Sequence, residues 1–149
     1  ITLNTSDDEI AVCNLASINL PAHVRSAEQR QAKFDLPDIL DLEKLEQTVT
    51  TTMRMLDNVV DLNLYSVDKA RRSNLRHRPV GLGCMGFQDA LHMLRLAWSD
   101  ADAHTFADWA QQSISAYAIR ASALLARERG RYSSYDGSLW SRGILPIDS

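Results

Sequence analysis

Cys13 is the side chain of this sequence best placed to do chemistry. It lies in the stretch Glu9–Leu20, where Ile10 and Val12 alternate with small residues as in a strand with one buried face. Small and amide-bearing residues follow it, so the sequence predicts a thiol at the end of a buried strand, beside side chains that form hydrogen bonds. A lone cysteine on an apolar strand is also commonly a small core residue. From this stretch alone, a reactive thiol and a packing thiol both remain open.

A second chemical pattern lies in the glycine stretch 79–87. Gly81, Gly83 and Gly86 match G-x-G-x-x-G, the pattern of a dinucleotide-binding turn. That mechanism needs a hydrophobic strand before the first glycine, whereas residues 75–79 are basic and end in proline. The expected second strand with an acid about 20 residues further on is also absent. We therefore interpret the glycines as a tight turn with close backbone packing, followed by a helix with apolar positions at Phe87, Ala90, Leu91 and Leu94.

The histidines and the basic cluster give weaker signals. The four histidines show no metal-ligand spacing and the sequence has no paired C-x-x-C, so we predict no metal site in this chain. Residues 69–78 hold five lysines or arginines together with His77. This density fits contact with phosphate, a solvated connector, or a cluster paired with acids elsewhere in the chain, and we favour the last two over contact with phosphate.

Composition narrows the class of protein. A hydrophobic content of 45% and a charged content of 23% over 149 residues are typical of a globular domain. The net charge of -3 argues against a general nucleic-acid binder, and two cysteines suit a reducing compartment. We find no signal peptide and no apolar run near ~18 residues, and therefore expect a cytoplasmic protein without a membrane span. The chain opens without Met and stops after an apolar run, so we expect it to be a piece of a larger protein.

Two long amphipathic helices must position these stretches. The first is predicted from Leu42 to about Asn63, with Asp41 as its N-cap. Its apolar stripe comprises Leu42, Leu45, Val49, Met53, Leu56, Val60 and Leu64. The second is predicted from a Ser99–Asp102 capping box to Arg129, with Gly130 as its stop. Its stripe comprises Ala103, Phe106, Ala110, Ile114, Tyr117, Ala121 and Leu124.

The remaining segments are predicted to be short strands and loops. Ile1–Leu3 and Glu9–Val12 read as neighbouring strands joined by a turn. Residues 22–37 read as a surface connection, and the aromatic residues of 131–149 are expected to fix that segment onto a core.

Three segments resemble the catalytic (large, alpha) subunit of class I ribonucleotide reductase. They are residues 9–20 (EIAVCNLASINL), 76–90 (RHRPVGLGCMGFQDA) and 140–149 (WSRGILPIDS). The resemblance covers essentially the whole chain. It implies an α/β fold in which residues 1–149 are an incomplete part of the ten-stranded α/β catalytic barrel, mostly helical with a few short strands and cut at both ends. It also implies that the glycine stretch belongs to the barrel scaffold.

The resemblance implies an activity and a role for one residue. Members of the family reduce ribonucleoside diphosphates to 2′-deoxyribonucleoside diphosphates by thiyl-radical chemistry with a redox-active cysteine pair. Cys13 matches the second cysteine of that pair, whose partner lies far upstream. The radical cysteine and its carboxylate belong to a motif that would immediately precede Ile1. The resemblance thus implies that this chain alone is inactive and that Cys84 is a packing residue.

The resemblance also implies partners that act on the complete enzyme. These are a small subunit with a di-metal site and tyrosyl radical, a second large subunit, and thioredoxin or glutaredoxin as reductant. ATP and dATP effectors would bind elsewhere, and this chain itself would bind no cofactor, metal or nucleic acid. Two alternatives stay open: a cobalamin-dependent class II relative, and a nucleotide-binding or helical interaction module that uses Gly81–Gly86.

Overall fold

The two strands of the described residues pair with each other in parallel. The computed structural model describes residues 5–31 and 34–148, and in it β1 (Asn14–Asn19) pairs with β2 (Val80–Met85). Asn14 lies opposite Val80, and Asn19 lies opposite Met85. Parallel strands need a long crossover connection. Here the crossover is helical, and it brings the residues directly after Cys13 and the glycine stretch, which are far apart in sequence, into one sheet.

The described residues also form five α-helices: α1 (Leu36–Ile39), α2 (Leu42–Leu62), α3 (Asp68–His77), α4 (Phe87–Leu94) and α5 (Ala101–Arg129). Short 3-10 turns occupy Leu20–His23, Trp140–Arg142 and Pro146–Asp148. None of the helices in the described ranges is both long and apolar enough to cross a membrane.

The core forms where α2 packs against both α5 and β1. The predicted stripes are confirmed at most positions, because helical periodicity places residues three and four apart on one face. The buried members are Leu45, Val49, Met53, Leu56 and Val60 of α2 and Ala103, Phe106, Ala110, Ile114, Ala121 and Leu125 of α5. Two stripe positions are wrong: Leu64 lies beyond the end of α2 and is 94% exposed, and Leu124 is exposed while Leu125 is buried.

The caps predicted for the two long helices agree with the structure at some ends and differ at others. Asp41 is confirmed as the N-cap of α2, since its carboxylate accepts a hydrogen bond from the Lys44 backbone at 3.2 Å. The Ser99–Asp102 capping box is wrong. Asp100 is the N-cap residue of α5, and its carboxylate accepts from the Ala97 backbone outside the helix, at 2.7 Å. Gly130 ends α5 as predicted, with a positive φ of 94° that favours glycine.

The strands differ from the predicted ones. Glu9–Val12 lies outside the ladder, and the strand instead begins at Asn14, directly after Cys13. The cause is the partner strand, whose first residue, Val80, lies opposite Asn14. The predicted strand Ile1–Leu3 lies outside the described residues.

The predicted glycine turn is wrong for its first two glycines. Gly81 and Gly83 lie inside β2, and only Gly86 turns the chain, with a φ of 77° at the N-terminus of α4. Residues 75–79, which are basic and end in proline, do not form a buried strand, and this agrees with the prediction. They include the end of α3, which stops at the left-handed residue Arg78, one residue before Pro79.

Two loop predictions are wrong in part. His23 and Val24, within the supposed surface connection, are buried, and the ring nitrogens of His23 lie 2.9 Å from the Asn19 carbonyl and the Thr48 hydroxyl. Among the described residues 131–148 none is buried. The aromatic rings there contact one another instead, with Tyr132 against Tyr135 and the Arg131 guanidinium above Tyr135.

Candidate functional site

Cys13 lies immediately before β1 and is half-buried. Its thiol is 3.6 Å from the carbonyl oxygen of Asn14, a weak contact between neighbours in sequence. Side chains of a strand alternate between two faces. Ala16 and Ile18 face the helical core, while Leu15 is 69% exposed, so Leu15 and Ser17 form a row on the face that the core does not cover, and Cys13 directly precedes that row.

The neighbouring strand has glycine at two positions of that uncovered face. Gly81 lies opposite Leu15, and Gly83 lies opposite Ser17. A Cβ atom added at Gly83 would meet the Ser17 hydroxyl at 3.8 Å, which is ordinary contact. The two glycines therefore leave open space beside Leu15 and Ser17, whereas Met85 lies opposite Asn19 at the far end of the same row.

The two cysteines of the sequence cannot form a disulfide with each other in this fold. Cys84 lies opposite Ile18, five residues beyond Cys13. At about 3.3 Å per residue, this register separates the two cysteines by roughly 15 Å. A disulfide requires Cα atoms within about 7 Å. Cys84 is also exposed, so the prediction that it packs in the core is wrong for this structure.

The segment before Cys13 is attached to α3 by polar contacts. The Glu9 carboxylate accepts hydrogen bonds from the His77 Nε2 at 2.8 Å and from the Arg76 guanidinium at 3.0 Å. The backbone N–H of Ile10 donates to the Lys69 carbonyl at 3.3 Å. These contacts fix residues 9 and 10 on the helix, three residues before the thiol.

Glu9 remains ionised to lower pH than an ordinary glutamate. The hydrogen bond from His77, followed by that from Arg76, lowers the pKa of the Glu9 carboxyl despite its partial burial. Only 14% of its side chain is exposed. A charged acceptor with two donors in such surroundings forms stronger hydrogen bonds than a fully solvated one.

His77 also contacts the segment that follows α5. Its Nδ1 lies 2.7 Å from the Ser134 hydroxyl, which completes a chain from Ser134 through His77 to Glu9. A Ser–His–Glu series of this kind resembles the catalytic triad of a hydrolase. Acyl transfer by these residues would also need free N–H groups beside Ser134. The Ser134 N–H already donates to the Arg76 carbonyl, and the next N–H, of Tyr135, donates to the Tyr132 carbonyl. The chain of contacts is therefore arranged to hold segments together.

A second polar cluster surrounds Arg78. Its guanidinium bonds to the carboxylates of Asp57 and Asp61, at 2.7 Å each, and Arg129 contacts Asp57 at 2.5 Å. Arg78 lowers the pKa of Asp61, and the two aspartates raise the pKa of Arg78. These residues line a cavity of about 380 Å³. Pairing of the basic cluster with acids is thus confirmed for Arg78, and also for Arg72, Arg76 and His77.

The long-range partners of Glu9 were missed by sequence reasoning. Glu9 and His77 are separated by 68 positions, and no local pattern links them. Glu9 follows Asp7 and Asp8 at the polar end of the stretch, so the sequence does not mark it as the partly buried carboxylate that needs a partner. No group of three or more His, Cys, Asp or Glu within the described ranges could hold a metal ion.

The fold is a mostly helical α/β arrangement with a short parallel sheet, and a thiol lies directly before its first strand. The chain belongs to the ribonucleotide reductase barrel-domain family, since the family model described as "Ribonucleotide reductase, barrel domain" matches residues 1–149. The predicted family and the mostly helical α/β barrel piece are confirmed. The strand position of Gly81 and Gly83 removes the turn that the alternative dinucleotide site would need.

Reductase subunits from several organisms are similar over nearly the whole chain. It is 51% identical over 149 residues to the ribonucleoside-diphosphate reductase subunit alpha of Chlamydia muridarum, covering 100% of this chain and 13% of the relative. It is 40% identical over 144 residues to the ribonucleoside-diphosphate reductase large chain of Schizosaccharomyces pombe, covering 97% and 16%. For the subunit alpha of Helicobacter pylori the identity is 39% over 142 residues, covering 95% and 16%. The chain therefore spans about a seventh of the length of these relatives.

Proposed function

We propose that this chain is the part of a ribonucleoside-diphosphate reductase large subunit that carries one of its two redox-active cysteines, Cys13. The observation that carries the proposal is the position of Cys13, half-buried and directly before β1, next to the row on the uncovered face. Family membership supplies the reaction, and the reductase relatives support the substrate class. By the complete large subunit we mean the reductase chain that contains these 149 residues.

The proposed role of Cys13 is to supply one of two reducing thiols. A thiyl radical on another cysteine takes the 3′-hydrogen of the ribose and later returns it. The C2′–O bond breaks, the oxygen leaves as water, and a C2′–H bond forms. Cys13 and its partner give up two electrons and two protons and become a disulfide. The partner thiol comes from outside these residues, because the fold separates Cys13 from Cys84 by roughly 15 Å.

The proposed partners follow from this chemistry. A small subunit with a di-metal site and tyrosyl radical supplies the radical, and thioredoxin or glutaredoxin re-reduces the disulfide by thiol exchange. A second large subunit completes a homodimer, and ATP and dATP act on other parts of that subunit. The proposed location is the cytoplasm, where thiols are kept reduced.

The test is the replacement of Cys13 by Ser in the complete large subunit, assayed with its small subunit and a dithiol reductant. We expect formation of 2′-deoxyribonucleoside diphosphate to fall to background, because the hydroxyl keeps the size of the thiol but cannot supply electrons. Cys84→Ser is the matched control and should turn over like wild type. Wild-type turnover by Cys13→Ser would overturn the proposal.

A further inference from the structure

Cys13 lies between two points at which the chain is fixed. Upstream, the Glu9 carboxylate and the Ile10 backbone are bound to α3. Downstream, Asn14 opens the parallel ladder opposite Val80. Residues 11–13 bridge these points without ladder pairing of their own. The position of the sulfur therefore depends on both attachments, and the upstream one combines the Ile10 backbone bond with side chains that the proposed chemistry does not use.

We propose that Glu9 and His77 form a positioning pair that holds the Cys13 thiol in place for disulfide formation. This inference rests on the proposed function of Cys13 and adds the residues that set its geometry. In this proposal, neither Glu9 nor His77 touches the reacting atoms. They act through the backbone of residues 9–13.

Burial distinguishes this pair from the other contacts of the same segment. The Arg72–Asp8 pair has a distance of 3.9 Å, and the Asp8 side chain is 84% exposed. Exposed pairs of that kind hold a chain weakly. Glu9 has two short contacts, at 2.8 and 3.0 Å, and only 14% of its side chain is exposed. Glu9 is thus the acidic side chain able to fix the segment, together with the backbone bond from Ile10 to Lys69.

The second contact of His77 makes the attachment more rigid. Because the Glu9 carboxylate can only accept, the Nε2 of His77 must donate to it. The Nδ1 of the same ring meets the Ser134 hydroxyl at 2.7 Å, which joins α3 to the segment after α5. The imidazole is consequently held at both nitrogens, and its orientation toward Glu9 is defined.

The experiment measures how fast Cys13 is oxidised in a single turnover of the pre-reduced complete enzyme without external reductant. Rapid quenching, alkylation of free thiols and mass spectrometry follow the disulfide at Cys13. The variants are Glu9→Gln, which replaces one accepting oxygen by a donor, and His77→Leu, which removes both ring contacts. His77→Gln can restore a donor toward Glu9. Glu46→Gln is the matched control, since it breaks the Arg120–Glu46 contact of 2.6 Å between α2 and α5.

A displacement of 1 Å in a reacting group can cost about 100-fold in rate, so a looser attachment should slow oxidation of Cys13 by about tenfold. We expect this slowing in Glu9→Gln and His77→Leu, partial recovery in His77→Gln, and the wild-type rate in Glu46→Gln. Recovery by His77→Gln is not expected if His77 only fills space.

The outcomes separate the two proposals. If wild-type enzyme forms product while Cys13 stays reduced, the proposed function of Cys13 fails, and the positioning pair fails with it. If wild-type enzyme oxidises Cys13 but Glu9→Gln and His77→Leu do so at the wild-type rate, only the positioning pair is overturned. Equal slowing in Glu46→Gln would also overturn it, because the effect would then not depend on the attachment of residues 9–13.

Discussion

The contact between α2 and α5 and the attachment of residues 9–13 to α3 hold the molecule together in opposite ways. The α2–α5 contact is a continuous apolar seam, with Leu45, Val49 and Phe106 completely buried. The attachment of residues 9–13 consists of hydrogen bonds and ion pairs at the surface, with Glu9 at its centre. The first contact keeps the domain folded. The second decides where one side chain, Cys13, lies.

This difference separates stability from function. Apolar burial is worth about 25 cal/mol per Å², so the seam dominates the free energy of folding. A polar attachment contributes little net free energy because water competes for its groups. It is directional, however, and it can fix a segment that no core residue reaches. Substitutions in the seam should therefore lower stability, whereas those in the attachment should alter Cys13 with little loss of stability.

The largest effect is expected from Phe106→Ala. The Phe106 ring is completely buried and stacks on Phe87, with 5.9 Å between ring centroids. Truncation of a buried phenylalanine costs about 3–5 kcal/mol. Chemical denaturation of the complete large subunit should show this loss, while the molecules that remain folded should oxidise Cys13 at the wild-type rate. A slower rate in folded molecules would show that the two regions are coupled.

The next effect is expected from Gly86→Ala. A Cβ atom here would lie 2.6 Å from Cδ and 2.8 Å from Cγ of Pro21, and the φ of 77° disfavours side chains. Left-handed backbone costs roughly 1–2 kcal/mol for a non-glycine residue, and the steric overlap adds about as much again. The free energy of unfolding should fall by this sum. Gly83→Ala, whose nearest contact would be 3.8 Å, is the control and should be nearly neutral.

Arg78→Ala should have a smaller effect. It leaves Asp61 without its guanidinium, while Asp57 keeps Arg129. Partly exposed pairs are worth less than buried ones, so we expect a loss of about 1–2 kcal/mol. Arg78→Gly should lose less than Arg78→Ala, because the φ of 47° strains alanine but not glycine. Equal losses in denaturation would show that the backbone at residue 78 is unstrained.

The smallest effect is the acid dependence of the Arg54–Glu128 pair between α2 and α5. Hydrogen bonds from Arg54 lower the pKa of Glu128 to about 2. A carboxyl with a lowered pKa stabilises the fold fully above its ordinary value of 4.5, and this contribution is lost as the pH falls toward 2. Glu128→Gln should remove that part of the acid dependence of thermal unfolding and leave the stability at pH 2 unchanged. An unchanged acid profile in the variant would contradict this prediction.

The parts of the fold that can be predicted from the sequence are those with a local signal. The period of Leu45, Val49 and Met53 predicts α2, and the side chain of Asp41 predicts where it begins. The same reasoning places α4 after the glycines. Both depend on contacts within a few positions along the chain, which periodicity records directly.

The parts that cannot be predicted in this way are those set by a distant partner. The strand after Cys13 begins at Asn14 because Val80 lies opposite it, 66 positions later, and no local pattern contains that register. Gly81 and Gly83 look like a turn but lie in a strand, since β1 supplies their hydrogen bonds. The attachment of Glu9 to His77 is missed for the same reason. The role of Cys13 came from family resemblance, and it stays a prediction.

The most direct test of the central claim is the identity of the disulfide formed during turnover. The complete, pre-reduced enzyme is given substrate without reductant, quenched, digested and mapped by mass spectrometry. We predict that Cys13 is linked to a cysteine outside the 149 residues, in proportion to the product formed, and that Cys84 remains a free thiol. A disulfide that contains Cys84, or product formed while Cys13 stays fully alkylatable, would contradict the account.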